Sequence, residues 1–95
     1  MTKNGDVRND IARKVRMLRG YLGLTYADMA TTGRVPIDVL RRVASGRTAF
    51  GAVRQENALG IARCLGFTAE ELITEDEVTL LQKLQARGGG AEAGP

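Results

Sequence analysis

Apolar residues recur at steps of three and four along most of the chain, and no segment alternates apolar with polar as a half-buried strand does. The pattern predicts five or six helices. Ile11, Val15, Leu18 and Leu22 share one face of a first helix, from about Val7 or Arg8 to Tyr21. Arg8, Arg13, Lys14, Arg16 and Arg19 fall largely off that face, and Gly20 and Gly23 weaken and then end the helix. Thr25 is placed as the N-cap of a second helix, with Asp28 at the acidic position of a capping box and with Met29 and Ala30 facing inward. The stretch Thr31-Thr32-Gly33-Arg34 breaks the pattern and predicts a turn. A third helix opens at Pro36, which suits a first helical turn because its missing N–H has no intrahelical partner there. Val39, Leu40 and Val43 form its inner face, Arg41, Arg42 and Ser45 point elsewhere, and Gly46 closes it.

A glycine-bearing loop follows, then a fourth helix over roughly Val53 to Leu65 with Leu59, Ile61, Ala62 and Leu65 inward. Thr68 and Glu71 make a capping box for a short fifth helix in which Leu72 and Ile73 pack. A second box, Thr74 and Glu77, starts a sixth helix to about Arg87, with Val78, Leu80, Leu81 and Leu84 as its apolar positions. Residues 1–7 are expected as a flexible arm and residues 88–95 (GGGAEAGP) as a disordered tail, since Gly and Pro add nothing to a core. The expected fold class is all-α, with one domain over residues 8–73 and an added C-terminal helix over 74–87.

Composition narrows the chemistry. Ninety-five residues make one small domain. With two Tyr, two Phe and no Trp, aliphatic side chains must fill its core. The net charge of +3 hides an asymmetry: residues 1–63 carry +7 and residues 64–95 carry −4. A basic body is the electrostatic footprint of a phosphate binder, although a basic surface can also be merely solvated. The chain has one cysteine, Cys64, and no histidine. That rules out an intrachain disulfide and fits a reducing cytoplasm. It leaves no set of about four ligands for structural zinc and no Ser-His or Cys-His nucleophile. Cys64 reads as a small core residue. No apolar run approaches roughly 18 residues, so no membrane span is expected, and MTKNGDVRND lacks an apolar signal region. No enzyme, metal or cofactor is expected.

A helix-turn-helix needs a small residue where two short helices cross, a tight turn after it, and apolar anchors under the second helix. Ala30, Gly33-Arg34 and the set Val35, Leu40 and Val43 fill these roles. The stretch LTYADMATTGRVPIDVLRRVASG resembles the helix-turn-helix of the lambda-repressor/Cro-like (XRE-type) family at Leu24, Thr25, Met29, Ala30, Val35, Leu40, Val43 and Gly46. IARCLGFTAEELI resembles the closing pattern of the same family at Ile61, Ala62, Leu65, Gly66, Thr68 and Leu72. The resemblance covers about residues 8–73. It departs from the pattern at Tyr26, where Gln is usual, at Arg34 in place of the turn glycine, and at Ala44 in place of a common Glu. The loop from Arg47 to about Gln55 is also longer than usual.

The resemblance implies a five-helix lambda-repressor-like domain that regulates transcription by binding double-stranded DNA in a sequence-specific way. It makes Pro36, Ile37, Asp38, Arg41, Arg42 and Ser45 the base-reading face, and Thr25, Tyr26, Arg47 and Thr48 the phosphate contacts. Arginine suits guanine O6 and N7, and Ile37 suits a thymine methyl. Asp38 suits only a donor such as cytosine N4, or else supports the helix dipole from the first turn. A helix N-terminus at Thr25 and Tyr26 would attract a phosphate. The alternative is a protein-interaction module, adaptor or antitoxin-like, on the same fold, to which Pro36, Ile37 and Asp38 are equally suited. Such readers usually bind as homodimers on paired half-sites. The stripe of Val78, Leu81 and Leu84 is the expected interface, unless the sixth helix folds back on its own core.

Overall fold

The computed structural model describes the backbone of residues 3–93 and the side chains of residues 10–87. It holds six α-helices and one 3-10 turn, with no strand among the described residues. The helices are α1 (Lys3–Leu22), α2 (Tyr26–Gly33), α3 (Ile37–Ser45), α4 (Gln55–Cys64), α5 (Ala69–Thr74) and α6 (Glu77–Ala93), and the 3-10 turn is Phe50–Ala52. None is long and apolar enough to cross a membrane. One core gathers Ile11, Val15 and Leu18 of α1, Met29 of α2, Leu40 and Val43 of α3, Ile61 and Ala62 of α4, and Leu72, Leu80 and Leu84 beyond. Burying each of the Leu, Ile, Val and Met side chains stabilises the fold by about 1.5–3 kcal/mol. The long loop after α3 earns its length through Phe50, which the 3-10 turn drives into the core.

Caps set most of the boundaries. Thr25 and Asp28 form a full capping box on α2, with the Asp28 amide donating to Thr25 Oγ1 at 3.0 Å and the Thr25 amide donating to Asp28 Oδ2 at 3.2 Å. Thr68 and Glu71 do the same on α5. Pro36 is the N-cap of α3 rather than its first residue, and Gly46 is its left-handed C-cap. At the start of α6 the expected box of Thr74 and Glu77 is replaced. Thr74 closes α5 by donating to the Glu70 carbonyl, and Asp76 takes the capping role by accepting from the Thr79 amide at 2.8 Å. Amide donation holds both acidic caps below the ordinary carboxylate range: the Thr68 amide and then Lys83 act on Glu71, and the Thr79 amide acts on Asp76.

Several expectations fail for identifiable reasons. α1 takes in Lys3 to Val7, placed in a flexible arm, and α6 takes in Gly88 to Ala93, placed in a disordered tail. A started helix gains one hydrogen bond per added residue, and each glycine opposes this by only about 1 kcal/mol. Residues 1, 2, 94 and 95 lie outside the described residues. α4 starts at Gln55, because the preceding turn takes up Phe50–Ala52. Leu59, expected inward, is 45 % exposed, and Gly60, Ile61 and Asn57 take the inner positions. Leu22 and Ile73, at the ends of their helices, also face out. Lys14, assigned to the outer side of α1, is 2 % exposed. Its Nζ donates to the Leu72 carbonyl at 2.9 Å and pairs with Asp10 at 3.0 Å, so it satisfies the C-terminal end of α5.

The helix crossing differs too. Ala30 is only half-buried. α2 and α4 approach tightly where Gly33 meets Gly60: a Cβ built on Gly33 would lie 2.5 Å from the Gly60 carbonyl oxygen. Gly33 is therefore helical, not part of the turn, and the left-handed residue is Arg34, at φ 56°. Arg63 donates to the Gly33 carbonyl at 3.2 Å and secures that end of α2. The stripe on α6 does not form one surface. Leu84 and Leu80 are buried, Leu81 is half-buried, and only Val78 stands out, 65 % exposed. The helix lies back against α1, burying one apolar side as a fourth-residue repeat allows.

Candidate nucleic-acid interface

At 3.6 residues per turn, positions 37, 38, 41, 42 and 45 span an arc of about 140° on α3. Leu40, Val43 and Ala44 occupy the opposite arc and are buried. Burial on one side thus forces the other outward: Pro36, Asp38, Arg41, Arg42 and Ser45 are exposed and Ile37 is half-exposed. α3 is anchored from behind, where Arg16 of α1 donates to the Ala44 carbonyl at 2.6 Å. At the C-terminal end, the Arg47 and Thr48 amides both donate to the Arg42 carbonyl, and this turns the chain back beside the helix.

That turn brings residues from two sequence-assigned groups together. Arg41, Arg42, Ser45 and Arg47 line one depression of about 230 Å³. Arg41, Arg42 and Arg47, and Arg34 at the other end of α3, make no ion pair among the described residues. Ser45 Oγ is turned to the Arg42 carbonyl at 3.1 Å, leaving its acceptor lone pairs outward. Asp38 lies in the first turn of α3, where its charge favours the helix dipole.

The N-terminus of α2 is less suited to a phosphate than the resemblance implied. Thr25 Oγ1 is engaged with the Asp28 amide, and the Asp28 carboxylate sits at the helix end that an anion would occupy. Tyr26 is half-buried beneath the Arg19 guanidinium, 4.7 Å from ring centre to carbon, and Arg19 Nη1 donates to the Leu24 carbonyl.

A larger groove of about 620 Å³ runs from α3 to the start of α4, with Pro36, Arg42 and Thr48 on one side and Arg54 and Asn57 on the other. Sequence reasoning missed Arg34, Arg54 and Asn57. Their spacing carries no periodic signal, since the loop between α3 and α4 decides which of them meet. Cys64 is half-buried and its thiol donates to the Ile61 carbonyl. Burial pushes that thiol up to about 11, so it stays protonated at neutral pH. No group of three or more metal-ligating side chains forms among the described residues.

No protein-family model, curated protein or solved structure matches the chain. The helix-turn-helix resemblance therefore rests on the residues of the chain itself.

Proposed function

We propose that this chain is a sequence-specific DNA-binding regulator of transcription whose α3 enters the major groove of duplex DNA. The observation that carries the reading is the depression in which Arg41, Arg42, Ser45 and Arg47 meet with no acidic partner among the described residues. Unpaired arginines on an exposed helix face are donors without acceptors, and a groove edge with guanine O6 and N7 supplies matching acceptors. Arg41 and Arg42 would read bases, Arg47 and Thr48 would hold phosphate, and Arg16 would position α3 from behind. Under this reading the protein is a binder rather than an enzyme and works in the cytoplasm. The acidic residues 64–95 would face away from the duplex.

Homodimeric binding to paired half-sites belongs to the same proposal. Its surface is not the stripe on α6, because Leu84 is inside. Ile73 and Val78, 52 % and 65 % exposed where α5 leads into α6, remain as the apolar contact. The same two residues favour the second reading, a protein-interaction module. A salt-titrated binding assay on mixed-sequence duplex DNA separates the two. The DNA reading expects affinity to fall steeply with salt, with a log–log slope near −0.9 per phosphate neutralised. No detectable binding at about 50 mM salt overturns it.

A further inference from the structure

The turn between α2 and α3 carries a strain that its own hydrogen bonds do not require. Arg34, the C-cap of α2, is left-handed at φ 56° and ψ 49°, and is the one non-glycine residue at positive φ among the described residues. Gly23, Gly46 and Gly66 hold the other positive-φ positions, because a Cβ crowds the neighbouring carbonyl in that conformation. Backbone groups close the turn: the Arg34 and Val35 amides both donate to the Ala30 carbonyl, the latter at 3.0 Å. Glycine at position 34 would make the same bonds without the strain, so the turn does not need an arginine side chain. Nor does that side chain hold the fold elsewhere. It makes no hydrogen bond, ion pair or aromatic stack among the described residues, and the adjoining Gly33 carbonyl is served by Arg63 instead.

Arg34 is exposed and lines the groove beside α3 together with Pro36, Arg42, Thr48 and Arg54. Pro36 and Arg42 also belong to the outer face of α3, so this groove borders the helix face assigned to the bases. Glu56, the one acid in the lining, is 3.6 Å from Arg54, which leaves Arg34 and Arg42 uncompensated. A duplex seated with base edges on α3 carries a sugar-phosphate strand alongside that helix, and a guanidinium meets phosphate through charge-assisted hydrogen bonds. We infer that Arg34 is a phosphate-binding residue of the DNA interface, kept in a turn that gives up stability for affinity. A strained backbone position of this kind is characteristic of sites where the side chain is used. The contact fixes the register of α3 on the duplex and selects no base. This inference rests on the DNA reading and adds to it a residue that neither the helical spacing nor the resemblance assigned.

The test compares the full chain with Arg34→Gly and Arg34→Lys, measuring thermal melts and salt-titrated binding to mixed-sequence and preferred duplexes. Arg34→Gly removes both the strain and the charge, so its two readouts should move in opposite directions. Its melting midpoint should rise, by about 2–4 °C. Its affinity should fall about tenfold at low salt for both duplexes alike, with a log–log salt slope shallower by about 0.9. Arg34→Lys keeps the charge and the strained backbone, and should keep the parental slope. A purely structural arginine would instead lower the midpoint of Arg34→Gly and leave the slope alone. The inference is overturned by that result, by an Arg34→Gly protein with parental affinity and slope, or by a loss confined to the preferred duplex, which would make Arg34 a base reader. The parent is titrated in the same series. A parent that ignores duplex DNA removes the DNA reading and this inference with it; a parent that binds no better than Arg34→Gly removes only the inference.

Discussion

The cations on the two sides of this molecule do different things. On the side built by α1, α5 and α6 they are spent on the protein. Lys14 closes α5, Arg13 pairs with Glu77 at 2.8 Å, Lys83 lies between Glu71 and Glu75, and Arg87 covers Phe67 and donates to the Gly66 carbonyl. On the side built by α3 and the start of α4, Arg34, Arg41, Arg42 and Arg47 have no acidic partner among the described residues, and Arg54 has only the exposed Glu56. An exposed pair of that kind contributes little. The same residue type is thus tied into the structure in one region and without an acidic partner in the other. Net charge alone does not distinguish them; the location of the carboxylates and helix ends does.

The largest expected effect comes from the most buried cation. Lys14→Ala removes the donor to two carbonyls and one of the two cationic partners of Asp10, which keeps Arg13, and it should cost about 3 kcal/mol in a denaturant melt while leaving the DNA affinity of the folded fraction unchanged. A Lys14→Ala protein with the parental midpoint would break the division between the two regions. Gly33 ends α2 against the Gly60 backbone of α4, with Arg63 on its carbonyl and Arg34 after it. Alanine in place of a helical glycine ordinarily stabilises. Here the added Cβ meets the Gly60 backbone, so Gly33→Ala should instead destabilise by about 1–3 kcal/mol. An unchanged melt would show that α2 and α4 do not touch at this point.

On the opposite side the effects reverse. Arg41→Ala or Arg42→Ala should cost about 1–3 kcal/mol of binding to a preferred duplex and relax its base preference, with stability within about 0.5 kcal/mol of the parent. Loss of stability without loss of preference would move these two arginines into the structural group. The smallest effect is pH-dependent. Glu71 and Asp76 have folded-state values below their ordinary 4.5 and 3.8. Their contribution is therefore present above those values and is lost as pH falls below them through the folded-state values. The melting temperature should drop over that acidic range, and Glu71→Gln with Asp76→Asn should flatten the drop. An equally steep drop in the double variant would place the acid sensitivity elsewhere.

What was legible in the sequence follows from local rules. The order of six helices, the boxes at Thr25 and Thr68, the stop at Gly46 and the buried positions Leu40 and Val43 all depend on neighbours within a turn or two, where periodicity and capping act. The outward position of Arg41, Arg42 and Ser45 follows from the same helical geometry. What failed depends on contacts between distant segments. Lys14 looked like a surface residue because the carbonyls it serves are 58 and 59 residues away. Gly33 looked like a turn because the helix that demands its missing side chain comes later, at Gly60. Leu84 looked like an interface because its partners belong to the core of other helices. The meeting of Arg42 with Arg47, and of Arg34 with Arg54 and Asn57, was likewise decided by how the loop after α3 folds back. A sequence determines which helices form and which of their faces are apolar, because these are short-range matters of backbone hydrogen bonding and side-chain spacing. Which charges end up paired is decided only when packing brings remote helix ends and carboxylates within reach.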